Sequence, residues 1–172
     1  MLFIVAAFVL ALLSTASDAQ KTVVVSSATR FCLFLPPNPC NGGIANNINS
    51  AVAFCKKPLA LDPDPLASAK IFLDNFIQTA HFKTNGVGSN RRVQVTGRIK
   101  REKYCLKPSD QGAQIDSSHQ PSANCAGYPH FVQLVEPNEN IYCIRCCRNP
   151  AHCPTNIGTE GCRTVISNGD YT

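Results

Sequence analysis

Ile141-Tyr142-Cys143-Ile144-Arg145-Cys146-Cys147 is the stretch on which the fold turns. Three cysteines fall within five residues of a run whose isoleucines and tyrosine favour extended backbone, so it reads as a strand. Along a strand successive side chains point to opposite faces, which puts Cys143 and Cys147 on one face and Cys146 on the other. Bridges from the adjacent Cys146 and Cys147 then leave in opposite directions and staple two layers through one strand. A Cys-x-x-Cys is also compatible with a redox centre or half of a zinc site. A thioredoxin-type dithiol, however, sits at a helix start, where the dipole lowers one thiol pKa. No His follows Cys146-Cys147, which removes a haem-attachment reading.

The N-terminus sets the redox context for those sulfurs. Leu2 to Leu13 is a run of twelve apolar residues, followed by Ser14 to Ala19 with small residues at Ser17 and Ala19. It reads as a signal peptide cut before Gln20, although no Lys or Arg precedes the apolar run. Twelve residues are too few to cross about 30 Å of hydrocarbon as a helix. The polar end Ser167 to Thr172 lacks the apolar tail of a lipid-anchor signal. The expectation is a leader over 1–19, a secreted and extracellular protein with no membrane insertion, and a single cysteine-rich β domain over 20–172, long enough to bury a core. The cysteines number ten: Cys32, Cys40, Cys55, Cys105, Cys125, Cys143, Cys146, Cys147, Cys153 and Cys162. An even count in an oxidising route predicts up to five disulfides, and zinc on thiolates such as Cys153 and Cys162 is disfavoured there. No metal and no cofactor are expected.

Outward from the decisive strand, Phe131 to Val135 precedes it and the two form a hairpin through Glu136-Pro137-Asn138-Glu139-Asn140. Arg91 to Lys100 alternates Val93, Val95 and Ile99 against Arg92, Gln94, Thr96, Arg98 and Lys100, after a turn carrying Asn85-Gly86. One face of that strand reads as apolar and the other as basic. Its partner is expected within Phe76 to Phe82, with Lys70-Ile71-Phe72 as another short strand across an Asp74-Asn75 turn. A helix opening at Asp64-Pro65 fits the same residues less well than strand does. Thr22 to Ser26 and Arg30 to Leu35 read as a strand pair ending at Pro36-Pro37, with a further short strand at Ala51 to Cys55. Lys107 to Gly127 reads as an irregular polar loop pinned by Cys105 and Cys125, Leu59 to Leu66 as a surface connection, and Cys153 to Cys162 as a loop that closes on itself or is tied to the sheet. The fold class is mainly β: one compact disulfide-stapled domain of short antiparallel strands, a sandwich or partly closed barrel, with long loops and little helix.

Chemistry is sparsely marked. There is no Gly-x-Ser-x-Gly, no His-Glu-x-x-His, no calcium loop and no phosphate-binding Gly-Lys-Ser, and an even cysteine count leaves no spare thiol nucleophile. No catalytic residue is assigned. His81 reads as a strand histidine with one ring nitrogen bonded, and His119 and His152 as exposed loop residues. The net charge is +5 at pH 7, and +6 once Asp18 leaves with the leader, too modest to imply nucleic acid. Its densest part is Arg91 to Lys107, with seven cations in seventeen residues. Arg92, Gln94, Arg98 and Lys100 are the candidate ligand-binding residues, a basic strand face suited to anionic polysaccharide or another surface protein. The competing reading of that face is a solvated strand whose cations discourage pairing with other chains.

Several blocks resemble a group of small cysteine-rich proteins secreted by fungi: Phe31 to Pro37, Ala51 to Cys55, Phe76 to Phe82, Val93 to Gly97, Cys125 to Tyr128, Ile141 to Cys147, and Cys153-Pro154-Thr155 with Gly161-Cys162. The resemblance implies a source and a compartment and carries over no site. Those blocks hold eight cysteines, which by parity leaves Cys40 and Cys105 to bridge one another. The function expected is a non-enzymatic binding module of the cell wall or surface. The alternatives are a secreted hydrolase or lyase acting on wall polysaccharide and a toxin- or inhibitor-like effector whose Lys107 to Gly127 loop enters another protein. A cleft joining His81 to a carboxylate would favour the hydrolase.

Overall fold

The structure, a computed structural model, describes residues 21–56, 69–120 and 122–172. The expected leader and the connection Leu59 to Leu66 lie outside the described residues. Among the described residues ten short strands follow in order: β1 (Thr22–Val23), β2 (Cys32–Leu35), β3 (Val52–Cys55), β4 (Lys70–Ile71), β5 (His81–Asn85), β6 (Arg92–Arg98), β7 (Ala113–Asp116), β8 (Asn124–Cys125), β9 (His130–Glu136) and β10 (Ile141–Cys147). The α-helix among the described residues is a single turn, α1 (Cys162–Val165). A five-stranded antiparallel sheet in the order β5-β6-β10-β9-β7 faces a three-stranded sheet β2-β3-β4, so the domain is a sandwich. Two pairings depart from the antiparallel expectation: β3 with β4, and β1 with β8, are parallel.

The decisive strand is central. β10 pairs along its whole length with β6 on one side and β9 on the other, so all seven of its residues are buried. The alternation read from sequence holds. Tyr142, Ile144 and Cys146 face the sandwich interior, while Ile141, Cys143 and Cys147 enter a second cluster beneath the C-terminal segment. Adjacent cysteines accordingly bridge in opposite directions: Cys146 to Cys125 across the sandwich side, and Cys147 to Cys153 and Cys143 to Cys162 on the other. Cys32–Cys55 locks β2 to β3, and Cys40–Cys105 ties the loop after β2 to the corner after β6.

Aromatic rings fill the interior. Phe31 stacks on Tyr142 with centroids 5.7 Å apart, Phe34 meets Phe131 at 5.5 Å, and Phe76 meets Tyr104 at 4.5 Å. A polar tie crosses the same interior. The fully buried Gln133 amide accepts from the Phe34 N–H at 2.7 Å and donates to the Phe34 carbonyl at 2.8 Å. A side chain of β9 thus takes up the backbone groups that β2 has left over.

Local differences from the sequence reading have physical causes. Lys107 to Gly127 is not wholly irregular: Ala113–Asp116 forms β7 on β9 because Gly112, at φ 78°, lets the chain approach so closely that a Cβ there would lie 1.8 Å from the Val135 carbonyl oxygen. β5 starts only at His81, and the described residues 69–80 are extended or turning, with Asn75 in the left-handed region, so strand and turn replace the helix alternative there. In the β5–β6 turn Gly86 has φ 70° and would place a Cβ 2.2 Å from the Asn90 carbonyl oxygen, which reserves the position for glycine. Thr22 to Ser26 meets Arg30 to Leu35 through a bridge between Val25 and Phe31, the bond from Cys32 N–H to the Val24 carbonyl and the bonds from Ser26 N–H and Oγ to the Arg30 carbonyl, and not through a continuous strand ladder.

Candidate functional site

The basic face expected on β6 is not an open surface. Gln94 and Thr96 are each 1% exposed, Arg92 and Arg98 are half-buried, and of the four candidates only Lys100, beyond the strand's end, is exposed. The cover is the C-terminal segment. Thr96 Oγ1 donates to the Asp170 carbonyl at 2.9 Å, Gln94 Nε2 donates to Asn168 Oδ1 at 3.2 Å, and Lys83 Nζ donates to the Asn168 carbonyl at 2.7 Å. Polar alternates that looked solvent-facing are satisfied by chain folded back over them. Arg145 completes this interface from β10: its Nε and Nη2 donate to Gln94 Oε1 at 3.0 and 2.8 Å, Nη2 also to Asn168 Oδ1 at 2.6 Å, and Nη1 to the His152 carbonyl at 3.2 Å. Burial pushes the Arg145 guanidinium down to about 10, with Arg92 adding to the effect and Tyr171 opposing it.

His81 lies at the margin of the same cover. Its Nδ1 is 3.4 Å from Asp170 Oδ2 and its Nε2 is 3.3 Å from the Thr172 carbonyl, so both ring nitrogens have partners where one was expected.

The cleft with the most convergent chemistry opens instead beside β7, a strand within the Lys107 to Gly127 segment expected as irregular loop. Its volume is about 920 Å³. One wall is β7 with the turn after it; the other is the loop 153–161, whose flanking Cys153 and Cys162 are bonded to Cys147 and Cys143 of β10. Gln114 spans the two, its Nε2 donating to the Thr155 carbonyl at 2.9 Å and to Asp116 Oδ2 at 2.7 Å. The wall is therefore anchored covalently at both ends and by hydrogen bonds between them.

Asp116 organises the turn. Its side chain is nearly inaccessible yet accepts four hydrogen bonds: Gln114 Nε2 at 2.7 Å, Ser118 N at 2.8 Å, His119 N at 3.0 Å and His119 Nδ1 at 2.8 Å. Burial alone would push its carboxyl up, but the bonds from Gln114, His119 and Ser118 outweigh that and hold it below the usual carboxylate range. His119, expected as a simple exposed loop residue, is exposed but aimed: Nδ1 faces Asp116, which leaves Nε2 toward solvent. Elsewhere on the lining Glu136 accepts from the Cys162 N–H at 2.8 Å; burial pushes its carboxyl up, Glu139 adds to this, and the Cys162 bond and Arg163 oppose it.

Gln111, Gln114, Ser118, Thr155 and Asn156 contribute amides and hydroxyls to the lining, beside apolar Ile48 and Leu134. No Lys, Arg, Phe or Tyr is among the described residues that line it. Such a lining hydrogen-bonds hydroxyl groups in both directions and disfavours anions. The described residues contain no cluster of three His, Cys, Asp or Glu side chains able to hold a metal ion, and no helix long and apolar enough to cross a membrane. Comparison with protein-family models, with curated proteins and with solved structures finds no match to this chain.

Proposed function

We propose that this chain is a secreted, non-enzymatic binding module of a cell wall or cell surface, and that it takes a neutral polyhydroxylated chain into the cleft beside β7. The observation that carries the reading is the cleft's construction: two rigid walls, one crosslinked at both ends onto β10, lined by amide and hydroxyl groups with two carboxylates and no cation among the described lining residues. Pre-formed walls lower the ordering cost of binding, which matters for a ligand whose individual hydrogen bonds are weak. Five crosslinks in so small a domain support an oxidising, extracellular compartment. Binding to neutral and anionic glycans at low and high salt separates this site from the β6 surface. Neutral glycans are expected to bind with little salt dependence, to be lost at least tenfold on Gln111→Ala with Asn156→Ala, and to be retained on Arg92→Ala with Arg98→Ala. An anionic preference that weakens with salt and disappears in the arginine variant would place the ligand on β6.

A hydrolytic reading has one observation in its favour. A His119 oriented by a buried Asp116 and a Glu136 that holds its proton to higher pH than usual line the same cleft, the elements of a base and an acid. Release of new reducing ends from neutral wall polysaccharide, abolished by His119→Ala, would establish it over simple binding.

A further inference from the structure

The five crosslinks differ sharply in access. The eight cysteines of four of them are each no more than 5% exposed. Cys40 and Cys105 are both exposed, and both hold left-handed backbone, at φ 66° and 55°, a conformation that costs any residue with a Cβ. Their bond borders a separate hollow of about 490 Å³, rimmed by Gly42, Gly43, Lys107, Ser109 and Asp110. Asp110 is engaged by backbone, accepting from the Ile44 N–H at 3.1 Å and the Gly112 N–H at 2.9 Å. Exposed Lys107 stands on the rim, and exposed Lys103 precedes Cys105 by two residues. A thiolate must reach a disulfide sulfur to attack it, and neighbouring cations both attract the thiolate and stabilise the one that leaves.

We propose that Cys40–Cys105 is a thiol–disulfide exchange site for a low-molecular-weight anionic thiol of the glutathione class. The thiolate attacks one of the two sulfurs; a new bond forms between it and the protein, the Cys40–Cys105 bond breaks, and the other cysteine departs as a thiolate that takes a proton from water. A second thiolate attacks the mixed disulfide, releasing the oxidised disulfide of the small thiol and leaving two protein thiols, so two electrons pass from two thiols into one bond. The exchange unties the loop after β2 from the corner after β6. Ile44, Tyr104 and Leu106 are buried on either side of the tie and the Cys40 N–H donates to the Tyr104 carbonyl at 3.2 Å, contacts that do not pass through the sulfur bond, so its loss is expected to loosen the rim of the hollow and spare the sandwich. The exchange requires no ligand in the cleft beside β7.

The test uses the unreduced native protein in non-denaturing buffer with glutathione, quenched by alkylation and mapped by peptide mass. Cys40 and Cys105 are expected to react at least tenfold faster than any other cysteine, with the far-ultraviolet circular dichroism unchanged. Lys103→Glu with Lys107→Glu is expected to slow the glutathione reaction several-fold at low salt and the reaction with uncharged 2-mercaptoethanol less than twofold. First reaction at another pair, release of all ten together with loss of the dichroism, or equal slowing with both thiols would overturn the assignment.

Discussion

The two faces of the five-stranded sheet are built from the same strands and covered in different proportions of packing and crosslinks, the sandwich side carrying one disulfide, Cys125–Cys146, and the Gln133 tie beside its larger apolar cluster. On the sandwich side Phe131, Val135, Tyr142 and Ile144 meet a second sheet that brings Phe31, Leu33 and Phe34, and apolar area does the work. On the other side the cover is the irregular chain 150–172, which brings Val165, Ile166 and Tyr171 but also two disulfides and the Arg145–Gln94–Asn168 network. Where the covering segment has too few apolar side chains to hold itself down, sulfur and hydrogen bonds supply what packing does not. The candidate cleft lies at the margin of this second face, so the crosslinked cover is also what shapes the site.

The packed side is the more sensitive to substitution. Phe131→Ala removes a fully buried ring against Phe34 and is expected to cost about 3–5 kcal/mol in urea unfolding, the largest effect of any substitution named here. Cys143→Ser with Cys162→Ser is expected to cost about 3 kcal/mol through the entropy of the opened loop, and its signature is regional. Hydrogen exchange should rise in 153–171 and not in β9 or β10, and glycan binding in the cleft should fall with it. Equal exchange across both faces would show that the crosslink serves the whole sheet and not its cover. Arg145→Ala leaves the Gln94 and Asn168 side-chain oxygens short of donors and is expected to cost about 1–3 kcal/mol, again with faster exchange in the covering segment.

The smallest effects come from two carboxyls of the cleft, and they have opposite signs. Asp116 is held below its ordinary range in the fold, so the unfolded chain binds more protons around that range. Its stabilising contribution is present above the unfolded pKa and lost as pH falls through the folded value. Glu136 is held above its ordinary range, so its contribution is present in acid and lost as pH rises through its folded value. Asp116→Asn is therefore expected to flatten the acid limb of a stability–pH profile measured by urea midpoint, and Glu136→Gln to remove a decline on going from acid toward neutral. Parallel shifts in the two variants would contradict the assigned environments.

What could be read in advance follows from the range of the interactions. The opposed bridges of Cys146 and Cys147 follow from the alternation of neighbours along one strand, and the β9–β10 and β5–β6 hairpins are local pairings with their turns in sight. The cover on β6 is not local: Thr96 and Asp170 are 74 residues apart, and nothing in Arg92 to Lys100 distinguishes polar groups awaiting solvent from polar groups awaiting another segment. β7 was missed for a related reason. Ala113-Gln114-Ile115-Asp116 is fully buried only at Ile115 and Asp116 and takes its extended form from pairing with β9. With it went the cleft, although Asp116-Ser117-Ser118 was a visible Asx-turn signal, realised in the bond from the Ser118 N–H to Asp116 Oδ1.

One glutamine carries a consequence beyond its own bonds. The peptide N–H and carbonyl of Phe34 that meet Gln133 are buried in the sandwich, where neither could turn to water, and the one amide satisfies both. The setting of one sheet against the other is thereby written into a residue ninety-nine positions along the chain, since a slip of β9 past β2 would leave both groups without a partner.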